Sequence, residues 1–218
     1  MRVRSFQRAI GFVDWHTAVI ASGAALRHPR PDSVARAALE HVERNLSDHL
    51  SKSGGGSRFR VRLRLYTGWH RGKTPTDYHR GIVKVLKDYA DRHRPHHQGR
   101  VIFEGGRDGV QLGNRLACVP ERLAKGNECH LLDTLRNRNG IDQEKMVDTA
   151  LAVDLLGLTT RREADRYVVV SDDDDLLPGL LAAEAAGADA KLLSRPGTSS
   201  RFMAHTADLI HTYESVGA

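Results

Sequence analysis

Apolar runs and amphipathic stretches alternate along the chain in a βαβ rhythm. Ala9–Val13 reads as a short strand ending at Asp14, and Ala38, Val42 and Leu46 recur at helical spacing after Val34, with Asp32 and Ser33 as candidate caps. Ser53-Gly54-Gly55-Gly56-Ser57 reads as a flexible loop. Arg58 to Tyr66 alternates strictly, with Phe59, Val61, Leu63 and Leu65 on one face and Arg58, Arg60, Arg62 and Arg64 on the other, which predicts a strand. Pro75 to Arg92 carries Tyr78, Ile82, Val85, Leu86 and Tyr89 in helical register; Arg94 to Gly99 is a polar break, and residues 101–116 suggest short strands between glycine turns. Asp142 is placed to cap a helix running through Leu156, Tyr167–Ser171 reads as a buried strand, Leu176–Ala186 as a helix closed by Gly187, and Ala190–Leu193 as the last strand. The pattern predicts an α/β fold with a mainly parallel central sheet between two helix layers. Residues 1–198 form one domain on this reading, and residues 199–218 a helical or partly ordered tail.

Composition narrows the class. A chain of 218 residues, 40% hydrophobic and 28% charged, suits one folded domain with a sizeable core and excludes a disordered chain. The formal net charge is +6 at pH 7. A basic chain that gathers acids in one place suits a phosphate-bearing partner and a metal pocket. The two cysteines, Cys118 and Cys129, make no disulfide framework, and with His130, His96 and His97 they match no zinc spacing. No run is long enough for a membrane span and no secretory leader is read at Met1–Arg8, so the expected location is cytoplasmic.

The acids are the sharpest signal. Ser171-Asp172-Asp173-Asp174-Asp175 follows the apolar Tyr167-Val168-Val169-Val170. A run of carboxylates is ordinarily a solvated loop. This one sits at the carboxyl end of a strand, where open α/β sheets bind ligands, and crowded carboxylates call for a hard cation. Asp14, at the end of the first strand, falls on the same sheet edge. Asp148 lies near the start of its helix, while Asp154, six positions on, points about 120° away around the helix axis. One of the two faces the acidic edge; Asp154, in an apolar stretch, is expected to hold a structural hydrogen-bonded position. His16 is a candidate proton shuttle beside a commoner surface role.

Arg58, Arg60, Arg62 and Arg64, extended by Trp69, His70, Arg71 and Lys73, form a candidate nucleic-acid track, with Trp69 as a stacking plane. The plain alternative is a solvated or ion-paired sheet face. Arg92 to Arg100 is a second basic segment, and Arg136 and Arg138 precede the Asp148 helix.

Lys145-Met146-Val147-Asp148-Thr149-Ala150-Leu151-Ala152-Val153-Asp154-Leu155-Leu156 resembles the KGVDVALAVDLL signature of NYN domains. YVVVSDDDDL, from Tyr167 to Leu176, resembles their vlvSGDGDF strand and turn; GFVDWHT and LRLYTGW resemble their first two strands. The resemblance implies a PIN-like three-layer α/β/α domain and a metal-dependent ribonuclease using Mg²⁺ or Mn²⁺. It places the family acids on Asp14, Asp148, Asp173 and Asp175, with Thr17, Ser171, Asp154, Asp172 and Asp174 as candidates to support them. Asp172 and Asp174 stand where the family has glycines, and Thr17 where it commonly has asparagine. RNA is the implied partner, and a homodimer is compatible because PIN-like domains often pair. An RNA-binding module that keeps the fold without cleavage is the main alternative. A HAD-type phosphatase also begins with a sequence such as Phe12-Val13-Asp14, but His16 stands where its second acid belongs.

Overall fold

The computed structural model describes residues 6–89, 93–106, 108–119, 131–195 and 209–212. Strand β1 (Phe6–Asp14) lies between β2 (Arg58–Tyr66) and β10 (Arg166–Val170), parallel to both. Beyond β10 come β11 (Ala190–Ser194) and β12 (Ile210–Thr212), again parallel. On the other side, β6 (Val101–Phe103) pairs with the first half of β2 and β7 (Val110–Leu112) with its second half, and β5 (Arg94–His96) closes the edge antiparallel to β6. The sheet is mainly parallel and eight-stranded, in the order β12-β11-β10-β1-β2-β6-β5 with β7 also on β2.

Alternation along each strand feeds two cores. Ala9, Val13, Val61, Leu63, Leu65, Val168 and Val170 face α1 (Trp15–Ala21), α3 (Pro31–Ser53) and α4 (Asp77–Tyr89), with the short α2 (Ala24–Arg27) beside α3. Ile10, Phe12, Tyr167, Val169 and Leu192 face α5 (Val147–Thr160) and α6 (Leu177–Ala185) on the opposite side. Helices on both faces of a parallel sheet make the three layers expected from the pattern.

α3 and α4 approach closely. A Cβ at Gly81 of α4 would overlap the Pro31 carbonyl oxygen at the start of α3. Gly81→Ala should therefore destabilise the fold by about 1–3 kcal/mol, read as a lower melting temperature, through forced separation of the helices. An unchanged melting temperature would mean that the two helices part at little cost.

Several boundaries differ from the sequence reading. Helix α3 begins at Pro31 with Arg30 as its cap; Asp32 instead pairs with Lys84 of α4 at 2.6 Å. Asp142 caps no helix: it lies in β9 (Ile141–Glu144), which pairs antiparallel with β8 (Leu135–Arg138), and α5 starts only at Val147. The polar break holds β5, which the buried Glu43 of α3 draws in through Arg94 at 2.7 Å. A second small ribbon, β3 (His70–Arg71) with β4 (Thr74–Pro75), follows β2. The sheet also runs past residue 198, because β12 joins it. The rest of the expected tail, together with Arg92, Cys129 and His130, lies outside the described residues. No described helix is long and apolar enough to cross a membrane.

Candidate functional site

The parallel register brings the acids together. Val13 pairs with Val170, so Asp14 and Ser171 end neighbouring strands on one sheet edge. Asp14 caps α1: its Oδ1 accepts from the Thr17 backbone N–H at 3.1 Å and its Oδ2 from the Thr17 hydroxyl at 2.6 Å. The fully buried Ser171 hydroxyl donates to Asp14 Oδ2 at 3.0 Å and accepts from the Asp173 N–H at 3.1 Å. One serine thus ties the two strand ends. Asp173 in turn caps the 3₁₀ turn Asp174–Leu176, accepting from the Asp175 N–H at 2.9 Å.

Asp148 reaches this edge from the first turn of α5. Met146, with φ 64° in the left-handed region that disfavours side chains, turns the chain from β9 into that helix. The Asp148 carboxyl pKa is pushed up to about 6 by partial burial, then by the negative charges of Asp173, Asp14 and Glu144. Asp175 is exposed in the 3₁₀ turn and is not among the charges that raise it. Asp14, Asp148 and Asp173 therefore act on one another electrostatically.

Glu144 is the acid that the sequence reading missed. It ends β9, and its Oε1 accepts from the Thr67 hydroxyl and from the Gly68 N–H at 2.6 Å, which fastens the loop after β2. Its spacing of four residues from Asp148 was the available signal; the strand and turn between them replace the helix that would have given that spacing meaning.

The other acids have other duties. Asp172 accepts from the Arg195 N–H at 2.9 Å and from its guanidinium at 2.5 Å, binding the acidic turn to the end of β11. Asp174 is half-buried beside it in the 3₁₀ turn. Asp154 has no exposed surface; it accepts from Arg64 at 2.6 Å, Tyr66 at 2.9 Å and the Ala117 N–H at 2.6 Å. It belongs to the core under α5.

The arginine row does not form a continuous open track. Its face of β2 lies under α5, so a cation there must pair or leave. Arg64 is buried against Asp154 and Tyr66, and Arg62 lies 3.6 Å from Glu163 past the end of α5. Arg58 and Arg60 stack over Phe6, at 4.1 and 5.3 Å from its ring centre. Trp69 is 1% exposed and donates to the Leu65 carbonyl at 3.1 Å, so its ring fills the core and offers no stacking plane. Arg71 and Lys73 are exposed on the β3–β4 ribbon. His16 is exposed, with its ring edge towards Tyr78.

Among the described residues, no group of three or more His, Cys, Asp or Glu side chains forms a preformed metal-ligand set. Mg²⁺ does not need one, since it commonly keeps several waters and takes one or two carboxylates together with substrate phosphates. The hard oxygen donors of Asp14, Asp148 and Asp173, with no cation of the described residues paired to them, suit such an ion chemically.

Comparison with curated proteins and with solved structures finds no match. NYN domains are PIN-like and are generally ribonucleases, usually with divalent metals. The family model for the NYN domain matches residues 123–213, the stretch that carries Asp148, Asp173 and Asp175, and supports placing this α/β chain with the NYN family.

Proposed function

We propose that the protein is a Mg²⁺- or Mn²⁺-dependent ribonuclease that hydrolyses RNA phosphodiester bonds at Asp14, Asp148 and Asp173. The observation that carries this reading is the joining of Asp14 and Asp173 through Ser171 at one sheet edge, with Asp148, at a helix start, within the reach of both their charges. Open α/β sheets bind ligands at this edge.

Asp14 and Asp173 are held in fixed orientation by Thr17, Ser171 and the backbone of the turn, so they present oxygens without further ordering. Asp148 would hold the cation with them. A bound cation would supply an activated water and neutralise charge on the phosphoryl oxygens. Glu144 adds negative charge at the rim and fixes the loop after β2, and the Asp172–Arg195 link keeps the acidic turn against β11. Asp175, exposed in the same turn, would meet solvent or substrate.

Purified protein incubated with single-stranded and structured RNAs should cut in Mg²⁺ or Mn²⁺ and not in EDTA, with mapped ends showing whether cleavage is internal. RNA left whole under every metal condition would refute the reading. RNA that is bound but uncut with Mn²⁺ present would favour a binding module, which the open spacing of the acids also fits.

A further inference from the structure

Two small ribbons outside the main sheet are fastened to each other. The β3–β4 and β8–β9 ribbons are joined by the Gly72 N–H on Asp133 at 2.8 Å, the Asp133 N–H on the Gly72 carbonyl at 3.0 Å and the Arg71–Asp142 ion pair. The His70 N–H adds a bond to Thr134 at 3.2 Å. The β8–β9 turn is tight, with Asn139 and Gly140 both at positive φ, 55° and 81°. At the end of β9, Glu144 clips the loop after β2 and lies within electrostatic reach of Asp148. The paired ribbons therefore meet the acids at the Glu144 end, with the Asn139-Gly140 turn at the other end of β8 and β9.

Their charges are unevenly engaged. Both aspartates are used in holding them together: Asp133 takes Gly72 and Arg136, the latter at 3.0 Å, and Asp142 takes Arg71 and Asn137. Lys73, Arg138 and Lys145 are exposed, and among the described residues their side chains have no hydrogen bond or ion pair. Ile141, directly opposite Arg138, is 65% exposed, and Met146 is 40% exposed. Unpaired cations beside exposed apolar side chains suit a chain of phosphates whose bases are unstacked, and a duplex hides its base faces.

We propose that the paired ribbons are an arm that seats single-stranded RNA and leads it to the acids, with Lys73, Arg138 and Lys145 on phosphates and Ile141 and Met146 against bases. The choice of RNA rests on the ribonuclease reading. The test reads binding without cleavage, so the two fail separately: RNA held by the arm yet never cut in Mn²⁺ refutes the ribonuclease and leaves the arm standing.

The experiment titrates the full chain into a fluorescein-labelled single-stranded 20-mer RNA in EDTA, by anisotropy, across a salt series. The triple variant K73A/R138A/K145A should bind at least tenfold more weakly. The slope of log K against log salt should shrink by about 2, since each phosphate contact on a single strand contributes about 0.7. A duplex of the same sequence should bind the wild type more weakly. Unchanged affinity and slope, or an equal effect on the duplex, would overturn the proposal. Crosslinking of 4-thiouridine RNA to the wild type gives an answer that needs no variant to fold: adducts are expected in residues 70–75 and 135–146, and adducts confined to the Arg58–Arg60 end of β2 would overturn it.

Discussion

Asp148→Asn should cut RNA hydrolysis by about 10²–10³-fold, the scale of losing one group that stabilises transition-state charge, here through its hold on the cation, while raising the melting temperature of the metal-free protein. The two effects share a cause. The Asp148 carboxyl pKa stands at about 6 in the folded chain, above the ordinary aspartate value, because burial, Asp173, Asp14 and Glu144 all disfavour its charge. A raised folded pKa means that the native state holds the proton more tightly than the unfolded chain. The associated stability is present at low pH and is lost as pH rises through about 6. Asparagine removes the charge and so removes that loss. The group is partly open to water, so after discounting for screening the gain is about 1 kcal/mol, or roughly 2–4 °C for a chain of this size. In EDTA, the difference between variant and wild type should be clear at pH 7.5 and vanish towards pH 4. A variant that keeps full cleavage would remove Asp148 from the site. A melting temperature lowered equally at both pH values would mean that Asp148 serves the fold rather than the reaction.

That experiment turns on acids whose positions were only partly legible in the chain. Strand ends are easy to read. The four apolar residues before Ser171 and the short run before Asp14 mark buried strands, and parallel order places their carboxyl ends together. The remaining placements depended on partners distant in sequence. Arg64 is indistinguishable from Arg60 by alternation, yet one is buried and the other exposed, because α5 covers only part of β2 and brings Asp154 from 90 residues away. Trp69 reads as a surface aromatic beside basic residues. The chain doubles back at Thr67–Trp69, and the ring is drawn inward to bury its apolar area.

The β8–β9 ribbon carried a local signal in Asn139-Gly140, a pair that tolerates two successive positive φ values. Its strands, Leu135–Arg138 and Ile141–Glu144, are almost wholly polar and lie on no core, so hydrophobic periodicity had nothing to detect. The same polarity is what leaves Arg138 and Lys145 exposed. β12 was hidden differently: three residues added to a sheet edge owe their conformation to β11 rather than to their own pattern.

Asp154→Ala should destabilise the fold by about 3–5 kcal/mol, because it leaves a buried guanidinium without its counter-charge. For a chain of this size that corresponds to roughly 6–20 °C in melting temperature. Arg64 is 5% exposed and Asp154 not at all. The carboxylate also accepts from the Tyr66 hydroxyl at 2.9 Å and from the Ala117 and Cys118 N–H groups at 2.6 and 3.3 Å. Five hydrogen bonds from four residues converge on its two oxygens, so its loss orphans donors on β2 and on the loop before α5 together. Asp154→Asn keeps the shape and one acceptor oxygen, and should cost less than alanine but still more than Asp148→Asn, which is expected to stabilise. Removing both charges in R64M/D154L should recover part of the loss, since an apolar pair replaces a buried ion pair at little cost, but not all of it, because the two backbone N–H groups and the Tyr66 hydroxyl remain unsatisfied. Cleavage should follow stability in this series: at a temperature where a variant is folded, its rate should stay within a few-fold of wild type. Thermal melts of the three variants decide the matter. A melting temperature within about 2 °C of wild type for Asp154→Ala would mean that water or Gln111, which already bonds Arg64, takes over the charge; a hundredfold loss of cleavage in a fully folded variant would bring Asp154 back to the reaction.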